Sequence, residues 1–139
     1  MKNFPIQEHL KKSGLRDTQT RRMVIEALKT AQAPCSPYDI QKTISESGRT
    51  INTVTVYRVL AMLDALHLVH RHPCNGRYSL CSFPEKEGHH GFLHCTSCGD
   101  VEEFCSDRLC KLENKIARSA KFHPLAHVSE LVGVCRSCH

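Results

Sequence analysis

Apolar residues recur at the spacing of one helical face near the start of the chain. Val24, Leu28 and Ala31 lie three or four positions apart, and they follow a polar segment in which Asp17 or Thr18 can cap a helix. We therefore predict a first amphipathic helix that begins at about residue 18 and buries its apolar stripe.

The stretch PCSPYD has the composition of a helix start. Ser36 can cap the helix, Pro37 suits the first helical position, and Asp39 completes the spacing of a capping box. Apolar residues four positions apart follow, and Gly48 can end the helix. These features predict a second helix over roughly residues 37–47.

A third helix is predicted in the segment TVTVYRVLAMLDAL, which Asn52 or Thr53 can open. The β-branched residues at its start mildly disfavour helix. The regular apolar stripe outweighs them, and its members are Val56, Val59, Leu60 and Leu63.

The spacing of apolar residues changes after this helix. The short segments HLVHRH and RYSLCSF are rich in strand-forming residues, and the dipeptide Asn75-Gly76 between them favours a tight hairpin turn. Three helices followed by a hairpin predict a winged helix-turn-helix domain.

The charged segment PEKEGHHG indicates a linker, so we divide the chain into a first domain at 1–84 and a second at 85–139. In the second domain, GFLHC and DVEEF are predicted strands, residues 107–121 a helix, and AHVSELVGVC a further strand. The expected fold class is α+β, with a winged helix-turn-helix followed by a small α/β domain.

The composition of the chain limits the classes of function and the cellular location to be expected. The 139 residues carry a formal charge of +5, which mildly favours nucleic acid, and include ten histidines and nine cysteines. No apolar run approaches a membrane span, and the first residues show no apolar core followed by a cleavage site, so we expect a cytoplasmic protein. In that compartment cysteines are more often metal ligands or reduced thiols than disulfides.

Two Cys-x2-Cys pairs carry the clearest chemistry. Cys95 and Cys98 form the first pair, and Cys135 and Cys138 form the second just before the end of the sequence. Four thiolates delivered as two such pairs suit tetrahedral zinc in a closed structural site. The alternative is four free thiols, and His139 could in principle replace one of them.

The segments LRDTQTRRMVIEAL, TVYRVLAMLDALHLVHRH and HHGFLHCTSCGDVEEF, together with the terminal Cys-x2-Cys, resemble the ferric uptake regulator family of bacterial metalloregulators. The resemblance covers nearly the whole chain. It implies a winged-helix DNA-binding domain, a hinge, and a dimerisation domain with structural zinc. It also implies a homodimeric repressor that binds double-stranded operator DNA when a regulatory metal is loaded.

The family's sensory site draws ligands from both domains. Carried over by position, the resemblance gives His70, Cys81, His90 and Glu103. The thiolate is the informative member because iron-sensing members usually offer only nitrogen and oxygen, whereas sulfur favours zinc. The set is similar to that of zinc uptake regulators. Two competing candidates remain, His72 for His70 and Glu102 for Glu103, and Cys81 could instead be a small buried apolar residue.

A possible third metal site of the family corresponds to His89, Cys110 and His127. The family commonly has an acidic residue where this chain has Cys110, and an Asp where it has Gly91, so the site is expected to be altered or weak. His123 is a substitute ligand or a surface residue. His94 faces away from Cys95 and is left out, and Cys35, Cys74 and Cys105 have no partner spacing.

The resemblance also implies DNA contacts from the third predicted helix, which would enter the major groove, and from a basic segment ahead of the first. The matching residues are Thr53, Thr55, Tyr57, Arg58, Arg16 and Arg21. The arginines could equally be solvated surface charges.

The sequence therefore predicts a zinc-responsive repressor of zinc uptake genes. Within the family, the alternative is a sensor of iron, manganese, nickel or peroxide. A zinc hydrolase or deaminase is disfavoured because the chain has neither HExxH nor a His-x-Glu ahead of Pro-Cys-x2-Cys. A zinc-storage or RNA-binding module is disfavoured by the winged-helix pattern and the lack of an aromatic stacking platform.

Overall fold

A computed structural model of the chain describes residues 6–84, 86, 90–125 and 127–139. The chain forms two compact units, of which the first ends at Ser82 and the second begins at Phe83. The first unit is a winged helix-turn-helix and the second is a small α/β domain, so the predicted α+β fold is confirmed.

Four helices and a hairpin make up the described part of the first unit. Their bounds are α1 Ile6–Lys12, α2 Gln19–Thr30, α3 Pro37–Glu46, α4 Thr53–Ala65, β1 Val69–Arg71 and β2 Tyr78–Leu80. The three predicted helices are α2, α3 and α4. Helix α1 was not predicted, because its seven residues bury only Ile6 and Leu10 and carry no capping signal.

Local side-chain hydrogen bonds set where these helices begin. The Thr18 hydroxyl accepts from the Arg21 amide at the start of α2, and the Asn52 side chain accepts from the Thr55 amide at the start of α4. Asp17, the other capping candidate for α2, instead receives the guanidinium of Arg22 at 2.8 Å. Each cap satisfies a backbone amide that has no partner within its helix.

The core of the first unit lies between α2, α3, α4 and β1. The buried stripe of α4 has the four members that its sequence predicts. The principal buried side chains are Ile6, Leu10, Val24, Leu28, Ile40, Ile44, Val56, Leu60, Leu63, Leu68 and Val69.

The wing hairpin is fastened to the start of α3. Cys35 and Tyr78 exchange two backbone hydrogen bonds of 2.9 and 2.8 Å, which adds a short bridge to the edge of β2. One turn away, Arg77 Nη1 donates to Asp39 Oδ2 at 2.8 Å. Asp39 also accepts the Ser36 amide at 2.9 Å, so one carboxylate serves both the helix cap and the wing.

The second unit is a three-stranded sheet with one helix. Its elements are β3 His90–Cys95, β4 Val101–Cys105, α5 Asp107–Ser119 and β5 Ser129–Gly133. Strand β3 is central, antiparallel to β4 and parallel to β5. The chain therefore reaches β5 through β4 and α5, as a parallel partner requires a crossover.

This unit has little core of its own. Within its described residues, Phe92 and Cys95 are the hydrophobic side chains that are fully buried, and α5 buries none of its residues. Large apolar side chains such as Ile116 and Leu131 are each 61% exposed. None of the helices among the described residues is both long and apolar enough to span a membrane.

Gly91 occupies a position where a side chain has no room. A Cβ built on Gly91 would lie 2.2 Å from Cζ of Phe104, whereas one built on Gly133 would meet nothing within 4 Å. The ring of Phe104 therefore packs directly over the backbone of β3, on the strand opposite.

We expect Gly91→Ala to lower the free energy of unfolding by about 1–3 kcal/mol, because Phe104 must shift to admit the new methyl group. Gly133→Ala is the matched control, because Gly133 lies in β5 of the same sheet and a Cβ there meets no neighbouring atom. This variant is expected to change stability little. Urea denaturation of both variants measures the difference. Equal stabilities would contradict the packing of Phe104 on β3.

We expect Asp39→Asn to lower stability by about 1 kcal/mol at neutral pH through the loss of the charged cap. The Ser36 amide holds the pKa of Asp39 below its ordinary value, aided by the Ser36 hydroxyl and Arg77. The carboxylate therefore stabilises fully above its unfolded pKa of about 3.9 and loses this effect as pH falls through the lower folded pKa.

The difference between wild type and Asp39→Asn should accordingly shrink below pH of about 4, as followed by helical circular dichroism in urea. Glu46→Gln removes a carboxylate from the same helix, where it reaches Lys42 only at 4.0 Å, and serves as the control. A constant difference across this pH range would show that the charge of Asp39 is not what stabilises the helix.

Candidate metal centres and nucleic-acid interface

Four cysteine side chains of the second unit converge at one edge of its sheet. Parallel strands β3 and β5 pair Cys95 with Gly133, so the Cys-x2-Cys segments that follow each strand emerge side by side. The four Sγ atoms all lie within 4.8 Å of one another. Cys98 Sγ and Cys135 Sγ are 3.8 Å apart, which equals the separation of about 3.8 Å expected for sulfurs that bind one zinc at about 2.3 Å.

The electrostatics of the four-cysteine cluster favour one thiolate and resist a second. Backbone amides of Cys98 and Cys135 lower the pKa of Cys95 to about 6. The Asp100 amide acts to lower the pKa of Cys98, but the hydrogen bond with Cys95 and desolvation outweigh it and raise that pKa to about 12. Several thiolates this close need a cation to offset their repulsion, and a bound divalent metal ion would supply that charge.

On the wing, His70 and Cys81 lie on one face of the hairpin. His70 pairs with Ser79 in the strand register, and the Cys81 amide donates to the Leu68 carbonyl at 2.9 Å. Cys81 therefore stands opposite a residue two positions from His70, which puts both side chains on the same side. Cys81 is 2% exposed, while His70 is half-buried.

On the sheet of the second unit, His90 and Glu103 form a close pair. His90 Nδ1 lies 2.6 Å from Glu103 Oε1, and the two side chains are 13% and 5% exposed. His90 Nε2 also lies 3.1 Å from the Lys86 carbonyl. Glu102 is exposed on the other face of β4, as strand alternation predicts, so Glu103 is the carboxylate that faces His90.

The residues matched to a third site are not all brought together within the described part of the chain. His89 lies outside the described residues. Cys110 Sγ accepts from Asn114 Nδ2 at 3.7 Å, whereas His127 Nδ1 lies 2.9 Å from Glu113 Oε2. Sequence reasoning missed Glu113, although its place one helical turn after Cys110 on α5 gives it the same exposed face.

Four of the candidate DNA-binding residues lie on α4, and the other two, Arg16 and Arg21, lie just before and within α2. Tyr57 is 47% exposed and Arg58 is exposed. The Thr53 hydroxyl donates to Gln41 Oε1 at 2.6 Å, so it is already engaged with α3.

Thr55 also has a local role, since its hydroxyl donates to Asn52 Oδ1 at 2.7 Å within the cap of α4. In the basic segment ahead of α2, Arg16 is exposed and its carbonyl accepts a hydrogen bond from Arg21 Nη1. The residues best placed to meet a partner are therefore Tyr57, Arg58 and Arg16.

Two further residues of the first unit, Tyr38 and Arg77, were not singled out from the sequence. Tyr38, in the first turn of α3, is 65% exposed, and Arg77 ties the wing to the same helix. The helix-start motif PCSPYD placed Tyr38 in a first turn, but its exposure depends on how α3 packs.

Comparison with known proteins gives a consistent family. The sequence model of the ferric uptake regulator family matches residues 12–132. The ferric uptake regulation protein of Legionella pneumophila is 34% identical over 132 residues, which are 94% of this chain and 96% of that relative.

Solved structures show the same likeness. A zinc uptake regulator complexed with zinc and DNA has a TM-score of 0.89 and 25% identity, over 96% of this chain and 89% of that one. The Vibrio cholerae ferric uptake regulator has a TM-score of 0.60 and 29% identity, over 94% of this chain and 99% of that one. The names of these relatives therefore point to two different metals.

Proposed function

The chain belongs to the ferric uptake regulator family, and on that premise we propose that it is a zinc-responsive repressor of zinc uptake genes. Members of this family are transcription regulators rather than enzymes. The protein would act in the cytoplasm as a homodimer on palindromic operator DNA. The observation that carries the choice of zinc is the thiol of Cys81, which shares one face of the wing hairpin with His70.

A structural zinc is proposed at Cys95, Cys98, Cys135 and Cys138. The sulfur spacing fits a tetrahedral ion, and the donor set is the one that zinc favours in closed sites. Bound zinc would cross-link the ends of β3 and β5 and supply folding free energy. The sparse core of the second unit supports this proposal, because such a cross-link would add stability that the little buried apolar surface does not supply.

A regulatory zinc is proposed at His70, Cys81, His90 and Glu103, with two ligands from each unit. Within the first unit, the wing orients an imidazole and a thiol to one side. Within the second, Glu103 holds the His90 ring at 2.6 Å, and such carboxylate contacts orient the imidazole of metal sites. A metal held by both pairs would restrict the movement of one unit against the other.

The choice between zinc and iron depends on donor chemistry. Relatives named for ferric iron favour an iron sensor, whereas the zinc uptake regulator has the higher TM-score of the two structures compared. Thiolate is a soft ligand that suits zinc, and hard-ion sensors are built from nitrogen and oxygen. Cys81 therefore supports zinc, and an iron, manganese, nickel or peroxide sensor is the alternative.

The proposed dimer and its DNA contact follow from the exposed surfaces. Apolar side chains of the second unit are too numerous at its surface for a monomer, and they include Leu112, Ile116, Phe122, Val128, Leu131, Val132 and Val134. Two copies related by a two-fold axis would present two α4 helices to a palindrome, with Tyr57 and Arg58 nearest the base edges. Metal and DNA would then be coupled by about 1–3 kcal/mol.

We expect Cys98→Ser to remove one zinc per chain and to unfold the second unit, because structural zinc sites contribute on the order of 10 kcal/mol. Metal analysis of the dialysed protein and its thermal unfolding curve measure both effects. Cys110→Ser removes a thiol of the same unit that lies outside the cluster, and it should retain the zinc. Full zinc content in Cys98→Ser would contradict the structural site.

We expect Cys81→Ser to weaken zinc-dependent operator binding by at least about fivefold, in line with a coupling of 1–3 kcal/mol, while the dimer and the structural zinc persist. Operator binding in a buffered zinc titration measures the change. Cys35→Ser, a half-buried thiol of the same unit, is the control and should bind like wild type.

Unchanged zinc dependence in Cys81→Ser would remove the regulatory assignment. Activation of the wild type by ferrous or manganous ion, at zinc concentrations that fill only the four-cysteine site, would instead establish the alternative metal. The two results separate an error in the ligand from an error in the metal.

A further inference from the structure

One face of the sheet in the second unit carries two histidine–carboxylate pairs. Strand alternation places His90, Phe92 and His94 on the same side of β3. The register pairs Phe92 with Glu103 on β4 and with Glu130 on β5, so both carboxylates share that face. Phe92 therefore lies between the pair already described and a second pair, His94 with Glu130.

The distance within the second pair differs from that within the first. His94 Nδ1 and Glu130 Oε1 are 3.7 Å apart, whereas the His90–Glu103 contact is a hydrogen bond of 2.6 Å. A separation of 3.7 Å exceeds a hydrogen bond. It is close to the edge of about 3.4 Å of a tetrahedron whose nitrogen and oxygen ligands lie about 2.1 Å from a metal ion.

The side chains of this pair are shielded from water. His94 and Glu130 are only 11% and 10% exposed. A divalent ion beside a carboxylate in such a position offsets part of the cost of its burial, and the neighbouring imidazole supplies a second ligand.

We propose that His94 and Glu130 bind a divalent metal ion in a site additional to the four-cysteine and regulatory sites. Imidazole and carboxylate together suit zinc, and zinc is the ion to which the protein is exposed under the proposed function. The described part of the second unit offers no third side chain at ligand distance from this pair. Water or a donor from outside the unit fills the remaining positions, so this zinc binds more weakly than the four-thiolate zinc.

The test is a zinc titration of the full-length dimer against a competing chelator, with zinc equivalents per chain as the readout. His94→Gln and Glu130→Gln should each weaken one zinc equivalent by at least about tenfold, while the tightest equivalent remains. Glu102→Gln removes an exposed carboxylate from the other face of β4 in the same unit, and it should leave the titration unchanged.

A variant that restores a ligand separates metal binding from structural pairing. Glu130→His replaces the carboxylate with a second imidazole, which can bind zinc but cannot pair with His94 as a counter-ion. This variant should recover the equivalent that Glu130→Gln loses, and circular dichroism should show all variants folded. The proposal is overturned if His94→Gln and Glu130→Gln both titrate like wild type, or if Glu130→His stays as weak as Glu130→Gln.

Discussion

The convergence of four thiols at the ends of β3 and β5 is the constraint on which the second unit depends. Two of the sulfur atoms, those of Cys98 and Cys135, lie 3.8 Å apart. The pKa of Cys95 is lowered to about 6 and that of Cys98 is raised to about 12, so a dication would stabilise this arrangement as thiolates. Little else holds this unit together, since α5 buries no residue among those described. A small α/β unit of this kind gains its stability from a cross-link and from a partner surface rather than from an apolar core.

The first unit is built on the opposite principle. Its helices begin at local caps, α4 buries a complete apolar stripe, and the wing is tied to α3 through Arg77 and the Cys35–Tyr78 bridge. Its described core and caps involve no metal ligand, so its fold does not depend on the four-cysteine cluster. This difference between the two units suits a DNA-binding regulator, because the DNA-binding unit must keep its fold while its position is controlled. The exchangeable metal is proposed at His70, Cys81, His90 and Glu103, whereas the four cysteines are proposed to hold a structural one.

The features of the fold and of the candidate sites that depend on residues close together in the sequence could be predicted from it. The caps at Ser36 and Asn52, the stripe of α4 and the two Cys-x2-Cys pairs lie within a few residues of each other, and the structure contains each of them. Helix α1 was not predicted, because two buried residues are too few to establish a helical repeat of apolar positions. The pairing of His94 with Glu130 could not be found in this way, since it depends on a parallel register between strands that are separated by a crossover of more than 30 residues.

Gly91 shows how one packing choice shapes the metal chemistry. The ring of Phe104 covers its Cα so closely that a side chain at this position would displace the ring. An acidic side chain at this position would meet the same ring, so the packing of Phe104 disfavours it. The carboxylates that remain, Glu103 and Glu130, lie on the opposite face of the sheet beside His90 and His94. The sheet therefore has these nitrogen and oxygen donors on one face and its sulfur donors at one end, and this separation would allow one chain to hold both a permanent metal and an exchangeable one, as proposed.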